Sequence, residues 1–310
     1  MNERLTPRLA VLLTMPPLLW AGNAVVGRMA AGQVPPLTLN ALRWGLVLLL
    51  LLPLGWRAIA TPQARAQVLQ RWRPLSALGL LGVGCYNALQ YMALTTSSAL
   101  NVTLIACSLP MWMMAIGALV FRERPTGRAM VGALLSLAGV LVVLTHGDVG
   151  ALATLRLVPG DLLMLIAIAA WATYSWLLAR PHPLLKGAAR PDWNWADFLL
   201  VQTLFGMVWA GAAAGVEAVV SPAVIHWTPA VVATVLYIAI GPSLVAYRCW
   251  GLGVGAVGPT VAALFGNLTP LFAAVMASTL LGEVPGVHHV VAFGLILTGI
   301  WVSTGRAAER

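Results

Sequence analysis

Ten apolar stretches follow one another along the 310 residues, each bounded by charge, glycine or proline. They cover roughly 9–31, 37–54, 75–95, 99–120, 129–144, 162–179, 195–218, 229–249, 257–281 and 287–304. An α-helix needs about 20 apolar residues to cross ~30 Å of hydrocarbon. The chain therefore reads as an all-α integral membrane protein with ten transmembrane helices. No segment alternates polar and apolar residues over the ~10 positions of a membrane β-strand, which argues against a barrel. Composition agrees: 60% of residues are hydrophobic, 9% are charged, and mean hydropathy is +0.88. Soluble domains carry about 25% charged residues, so this chain has too few to clothe a water-facing surface. The first stretch is too long for a cleaved signal and, with Asn23 and Arg28, too polar; it reads as retained.

Orientation follows from the basic residues, which accumulate on cytoplasmic loops. With the N-terminus inside and ten crossings, the inner segments hold 15 of the 18 lysines and arginines, from Arg4 and Arg8 through Arg57, Arg122, Arg180 and Arg248 to Arg310. Arg156 is alone on an outer loop, and Arg28 and Arg43 fall within spans. Both termini are expected in the cytoplasm. The net charge of +9 then marks topology and not a nucleic-acid surface. Cys85, Cys107 and Cys249 all lie in spans, without the spacing of a metal site.

Sliding the sequence by 160 residues aligns Leu104 with Leu264, Pro110 with Pro270, Glu123 with Glu283, Pro125 with Pro285 and Gly139 with Gly299. Spans four and five thus look like copies of spans nine and ten. Five spans per copy is odd, so the second copy must enter the membrane upside down. The expected organisation is a first five-helix repeat over 1–145, an external linker over 146–158 and an inverted second repeat over 159–310, around a central cavity.

The series Ala93-Leu94, Ser98-Ala99, Pro110, Glu123-Arg124, Gly132, Gly139 resembles the EamA repeat of the drug/metabolite transporter superfamily. So does its second version, Gly258-Pro259, Pro270, Glu283, Gly299. Arg43 matches that family's habitual arginine in span two, and Gly160-Asp161 with Ala170-Trp171 resembles the start of its second repeat. The resemblance covers nearly the whole chain and is closest to the YddG-type exporters of aromatic and other amino acids. It implies ten helices, residence in a bacterial cell inner membrane, and export of small metabolites.

Polar groups in hydrocarbon need partners and tend to face the bundle interior. Tyr86, Asn87, Gln90 and Tyr91 form one face of span three, and Ser97, Asn101, Ser108 and Trp112 one stripe of span four. Trp20, Asn23, Trp171, Tyr174, Ser175, Ser243, Tyr247 and Asn267 join them from other spans. Aromatic edges together with amides suit a zwitterionic or aromatic solute. The candidate substrate-binding residues are Trp20, Asn23, Tyr86, Asn87, Gln90, Asn101, Trp112, Trp171, Tyr174, Tyr247 and Asn267. The plainer account is that such residues join helices or form interfacial belts, and Trp44, Trp56, Trp72, Trp227 and Trp301 are assigned to belts or loops. Pro110 and Pro270 should each delete a helical hydrogen bond, kink their spans and serve as hinges. The glycine runs 79–84 and 251–258 suit close packing or moving helices. Arg28 and Arg43 are expected to snorkel, with a substrate carboxylate or a carbonyl as the alternative for Arg43. Glu123 and Glu283 need only a cap or an arginine, and Asp161 and Asp197 only the helix starts they mark.

No carboxylate stands mid-span to relay protons, and there is no GxxxxGK[ST] loop for ATP. HExxH, GxSxG and paired intramembrane aspartates are absent, so an enzyme is not expected. His146, His182, His226, His288 and His289 sit at loops or span ends, and the adjacent pair should not share a helix face. The expectation is a gradient-driven exporter without cofactors, partnered by a small-molecule substrate and the lipid bilayer, not by nucleic acid, and working as a monomer. A proton-coupled multidrug or metabolite antiporter and a non-transporting membrane scaffold are the alternatives.

Overall fold

Among the described residues, proline is the first residue of six of the fifteen α-helices, because its missing N–H costs nothing in a first turn. The computed structural model describes residues 5–30, 32–148, 150, 157–221, 225–281 and 286–304. Glu283, Arg4, Arg156, Arg306 and Arg310 lie outside the described residues, as does the side chain of Arg28. The first half comprises α1 (Pro7–Ala30), α2 (Pro36–Gly55), the short surface helix α3 (Pro62–Gln70), α4 (Trp72–Gly79), α5 (Tyr86–Thr96), α6 (Ala99–Cys107), α7 (Leu109–Leu119) and α8 (Gly127–Leu144). The second comprises α9 (Pro159–Ala179), α10 (Trp195–Val220), α11 (Pro229–Ile238), α12 (Ala246–Val257), α13 (Pro259–Gly266), α14 (Thr269–Leu281) and α15 (Val287–Thr304). Eight helical stretches among the described residues are long and apolar enough to cross a membrane, and nine if the bent pair α6–α7 counts as one. Each expected span falls on a helix or on consecutive helices, with ends within a few residues. The largest departure is span eight, which continues to Val257 and places Arg248 inside α12 and not on a loop. Its guanidinium lies 5.0 Å from the ring centroid of Trp195, the first residue of α10.

Two π-helical segments interrupt the ladder, Leu80–Cys85 between α4 and α5 and Ala239–Val245 between α11 and α12. Pro242 lacks an N–H, and Ser243 Oγ donates to the carbonyl of Ile238 at 2.6 Å, five residues back. In the first segment, Gly82 lets the ring of Tyr174 press onto the backbone. Such bulges redirect side chains and free carbonyls from their helical partners.

The prolines of the broken spans act differently from the sequence expectation. Pro110 lies in the first turn of α7 and Pro270 in the first turn of α14, where no intrahelical N–H bond is required. The helix ends before each proline and restarts. Ser108 and Thr269 hydroxyls donate to Ile105 O and Gly266 O at the two breaks, and α6 and α7 meet at 45°.

The principal packing joins one half to the other: α8 runs along α15, α2 along α10, α5 along α9 and α1 along α12. At the α8–α15 crossing a Cβ on Gly132 would stand 2.5 Å from Gly299 O, and one on Gly299 would stand 2.5 Å from Gly132 O. Further along, a Cβ on Gly139 would stand 2.8 Å from Ala292 O, so the two helices run antiparallel in backbone contact. Gly211 and Gly215 of α10, by contrast, face open space.

Candidate functional site

Trp171, in the middle of α9, is the hub of the interior. Its ring lies 5.6 Å from Trp20, 5.2 Å from Tyr86, 5.1 Å from Tyr174, 5.1 Å from Tyr247 and 5.6 Å from Trp250, centroid to centroid. Trp44 joins the edge of this cluster through Tyr247 at 4.8 Å. Offset and edge-on pairs at these separations contribute about 0.5–1.5 kcal/mol each beyond burial. Trp171, Tyr174, Tyr247, Trp250 and Trp44 are buried, while Trp20 and Tyr86 are half-buried. Where the sequence suggested a central cavity, these rings meet one another. The meeting has a simple cause: α1, α5, α9 and α12 each turn an aromatic face to the same point. A hollow of about 340 Å³ lies among the loops, lined by Gln70, Trp72, Arg73, Pro74, His182 and Leu184.

The polar ends of these rings are anchored. Tyr247 OH donates to Gly82 O, in the first π segment, and Trp20 Nε1 donates to Pro242 O, in the second, at 3.2 Å. Trp250 Nε1 donates to Ser175 Oγ at 3.0 Å, and Tyr174 OH to Gln202 Oε1 at 3.2 Å. An aromatic donor thus reaches a backbone carbonyl in each π segment, and buried polar atoms are generally paired in this way.

Beside the rings lies a polar knot on Arg43. Its Nε donates to Ser243 Oγ, and its Nη1 to Asn87 Oδ1 at 2.8 Å and Tyr91 OH at 3.1 Å. Tyr91 OH lies 3.5 Å from Asn23 Oδ1, and Asn40 Nδ2 donates to Val83 O at 3.1 Å. Arg43 is wholly buried, so the expected snorkelling is overturned. It lies two turns inside α2 on the face that meets neutral acceptors from α5 and the second π segment. Trp44 is likewise corrected from belt to core, with 0% exposure, whereas Trp56, Trp72, Trp227 and Trp301 are exposed.

The remaining candidates are elsewhere. Asn101 Nδ2 donates to Asp161 Oδ2 at 3.0 Å beside Ser97, which donates to the same carboxylate, while Val158 N caps onto it at 2.9 Å. Asn267 Nδ2 donates to Ser136 Oγ on α8 at 2.9 Å. Gln90 is half-buried one turn beyond Tyr86, and Trp112 packs from α7 against the main core. Asp197 caps α10 and Glu123 pairs with Arg180, as the sequence suggests. The histidines depart from expectation: at the start of α15, the ring of His288 lies 4.1 Å from that of His289 and 5.0 Å from that of His146. Among the described residues no group of side chains is set to hold a metal ion. Trp250, missed from the sequence, sits three residues after Tyr247 on the same helical face, a spacing that marks it.

Comparison with known proteins adds two kinds of likeness. The profile of the EamA-like transporter family matches residues 8–145 and again 158–305. An uncharacterized transporter of Archaeoglobus fulgidus is 26% identical over 303 residues, 96% of this chain and 97% of that protein. The uncharacterized transporter YyaM of Bacillus subtilis is 25% identical over 231 residues, 74% and 72% of the two chains. A solved crystal structure of a protein 23% identical to this one superposes with a TM-score of 0.72, covering 96% of this chain and 98% of the other, a likeness of fold.

Proposed function

The chain belongs to the EamA-like transporter family, and from that premise we propose that it is a secondary, non-ATP exporter of small metabolites, amino acids and aromatic ones among them. It works by alternating access of two inverted five-helix repeats. The observation that carries this reading is the Trp171 hub, to which both halves of the chain contribute rings.

Inversion is supported by the crossing of α8 and α15. Shifted by 160 residues, Gly132 corresponds to Ala292 and Gly139 to Gly299. The contact of Gly132 with Gly299 therefore maps onto that of Ala292 with Gly139, and both contacts are present. An exchange of this kind between antiparallel helices is what a two-fold axis in the membrane plane produces. The same shift carries Gly82 onto Pro242, the two π-segment carbonyls held by aromatic donors. Counting α1 and the pair α6–α7 as spans gives the ten-helix arrangement, with both termini on the arginine-rich, cytoplasmic side of a bacterial inner membrane and a monomer as the working unit.

The buried carboxylates Asp161 and Asp197 are spent on helix starts, which favours a solute gradient as the driving force over proton coupling. The His146–His288–His289 cluster, which joins the two halves, favours the second reading of a proton-coupled antiporter. Counterflow of labelled amino acids in proteoliposomes, with and without a pH gradient, tests both. Saturable counterflow independent of the gradient is expected. Strict dependence on the gradient would transfer support to the antiporter, and flux of no solute would sink transport altogether.

A further inference from the structure

Arg43 is the buried cation among the described residues, and its three hydrogen-bond partners are all neutral. Neither buried carboxylate is its counter-ion, because Asp161 and Asp197 serve helix starts. Removing a guanidinium from water costs several kcal/mol unless an anion or a full set of acceptors compensates. Here compensation is incomplete, since Arg43 Nη2 lacks a protein partner. Asn87 turns Oδ1 to the guanidinium, which leaves its Nδ2 as a second buried donor without one. Trp44 Nε1, on the next residue of α2, is a third. The guanidinium lies 5.7 Å from the Trp44 ring centroid. A positive charge with surplus donors calls for a group that is negative and only accepts, which among small metabolites is foremost a carboxylate.

We propose that Arg43, with Asn87 as second donor, reads the carboxylate of the transported solute. The assignment rests on the transporter reading and adds a substrate class to it: monocarboxylates, zwitterionic amino acids included, whose body packs against the Trp171 hub. The two parts are neighbours, since Asn87 follows Tyr86 and Tyr247 lies one turn beyond Ser243. Arg43 is closed off in this conformation, so the helices must part before a solute reaches it.

The test compares 3-phenylpropionate with 3-phenylpropionamide, which share a body and differ in the carboxylate. Binding to the purified full-length protein is followed by tryptophan fluorescence. The acid is expected to bind about ten-fold or more tightly than the amide, the range of a charge-assisted bond. Arg43→Lys keeps the charge but loses the planar fork, and should weaken the acid several-fold. Asn87→Asp places a carboxylate beside Arg43 and should fold; it should abolish the preference for the acid over the amide. A purely structural arginine would not shift that ratio. Equal binding of acid and amide, binding of neither, or an unaltered ratio in Asn87→Asp overturns the assignment. The transporter reading survives that failure if proteoliposomes still show flux of some solute.

Discussion

Tyr247 and Gly82 are 165 residues apart in sequence, and the phenol of the first donates to the carbonyl of the second. The bond ties the aromatic hub to the π segment of the opposite half. Tyr247→Phe removes this buried hydrogen bond and should cost about 1 kcal/mol of stability. Thermal unfolding of the detergent-solubilised protein measures it. Trp20→Phe should do the same at Pro242 O, and no loss in either variant would show that water takes over those carbonyls freely.

Trp171 touches five other rings, so its truncation removes more than one contact. Trp171→Ala is expected to cost about 3–5 kcal/mol, the range of a large buried aromatic. Trp171→Phe should retain the fold and weaken the apparent affinity for aromatic solutes in counterflow. Wild-type affinity in Trp171→Phe would remove the hub from the binding site.

Gly132→Ala and Gly299→Ala each drive a methyl into the opposite backbone at the α8–α15 crossing. Overpacking of this kind costs about 1–3 kcal/mol. Gly294→Ala, which meets nothing within 4 Å on the same helix as Gly299, is the control and should be neutral in the same unfolding assay.

Pro110 and Pro270 begin new helices, so their replacement allows α6 to join α7 and α13 to join α14. If the breaks act as hinges, the double variant Pro110→Ala/Pro270→Ala should lower the transport rate several-fold while leaving the half-saturating solute concentration unchanged. An unaltered rate would reduce both breaks to static bends.

Much of the fold is written in hydropathy and proline, because a membrane helix is specified by length and apolarity before any tertiary contact forms. The rings of Trp20, Tyr86, Trp171, Tyr174 and Tyr247 were legible for a related reason: helical spacing sets them on polar faces that lipid rejects. Trp44 and Arg43 were not. Which side of α2 turns inward is decided by α10, a partner that local sequence does not reveal. Asn101 and Asn267 show the same ambiguity, since a residue facing a solute and one bonding a neighbouring helix obey one rule. Only contact with Asp161 and Ser136 tells them apart from the hub.

Glu217, near the end of α10, accepts hydrogen bonds from Leu37 N at 3.0 Å and Thr38 N at 2.7 Å, closing the first turn of α2. Pro35, at the cap position, has no side-chain acceptor to offer. The carboxylate that completes α2 is made 180 and 179 residues after the two amides it serves. During synthesis the second helix of the protein therefore enters the bilayer unfinished, and the ribosome must deliver most of the chain before that helix acquires its own beginning.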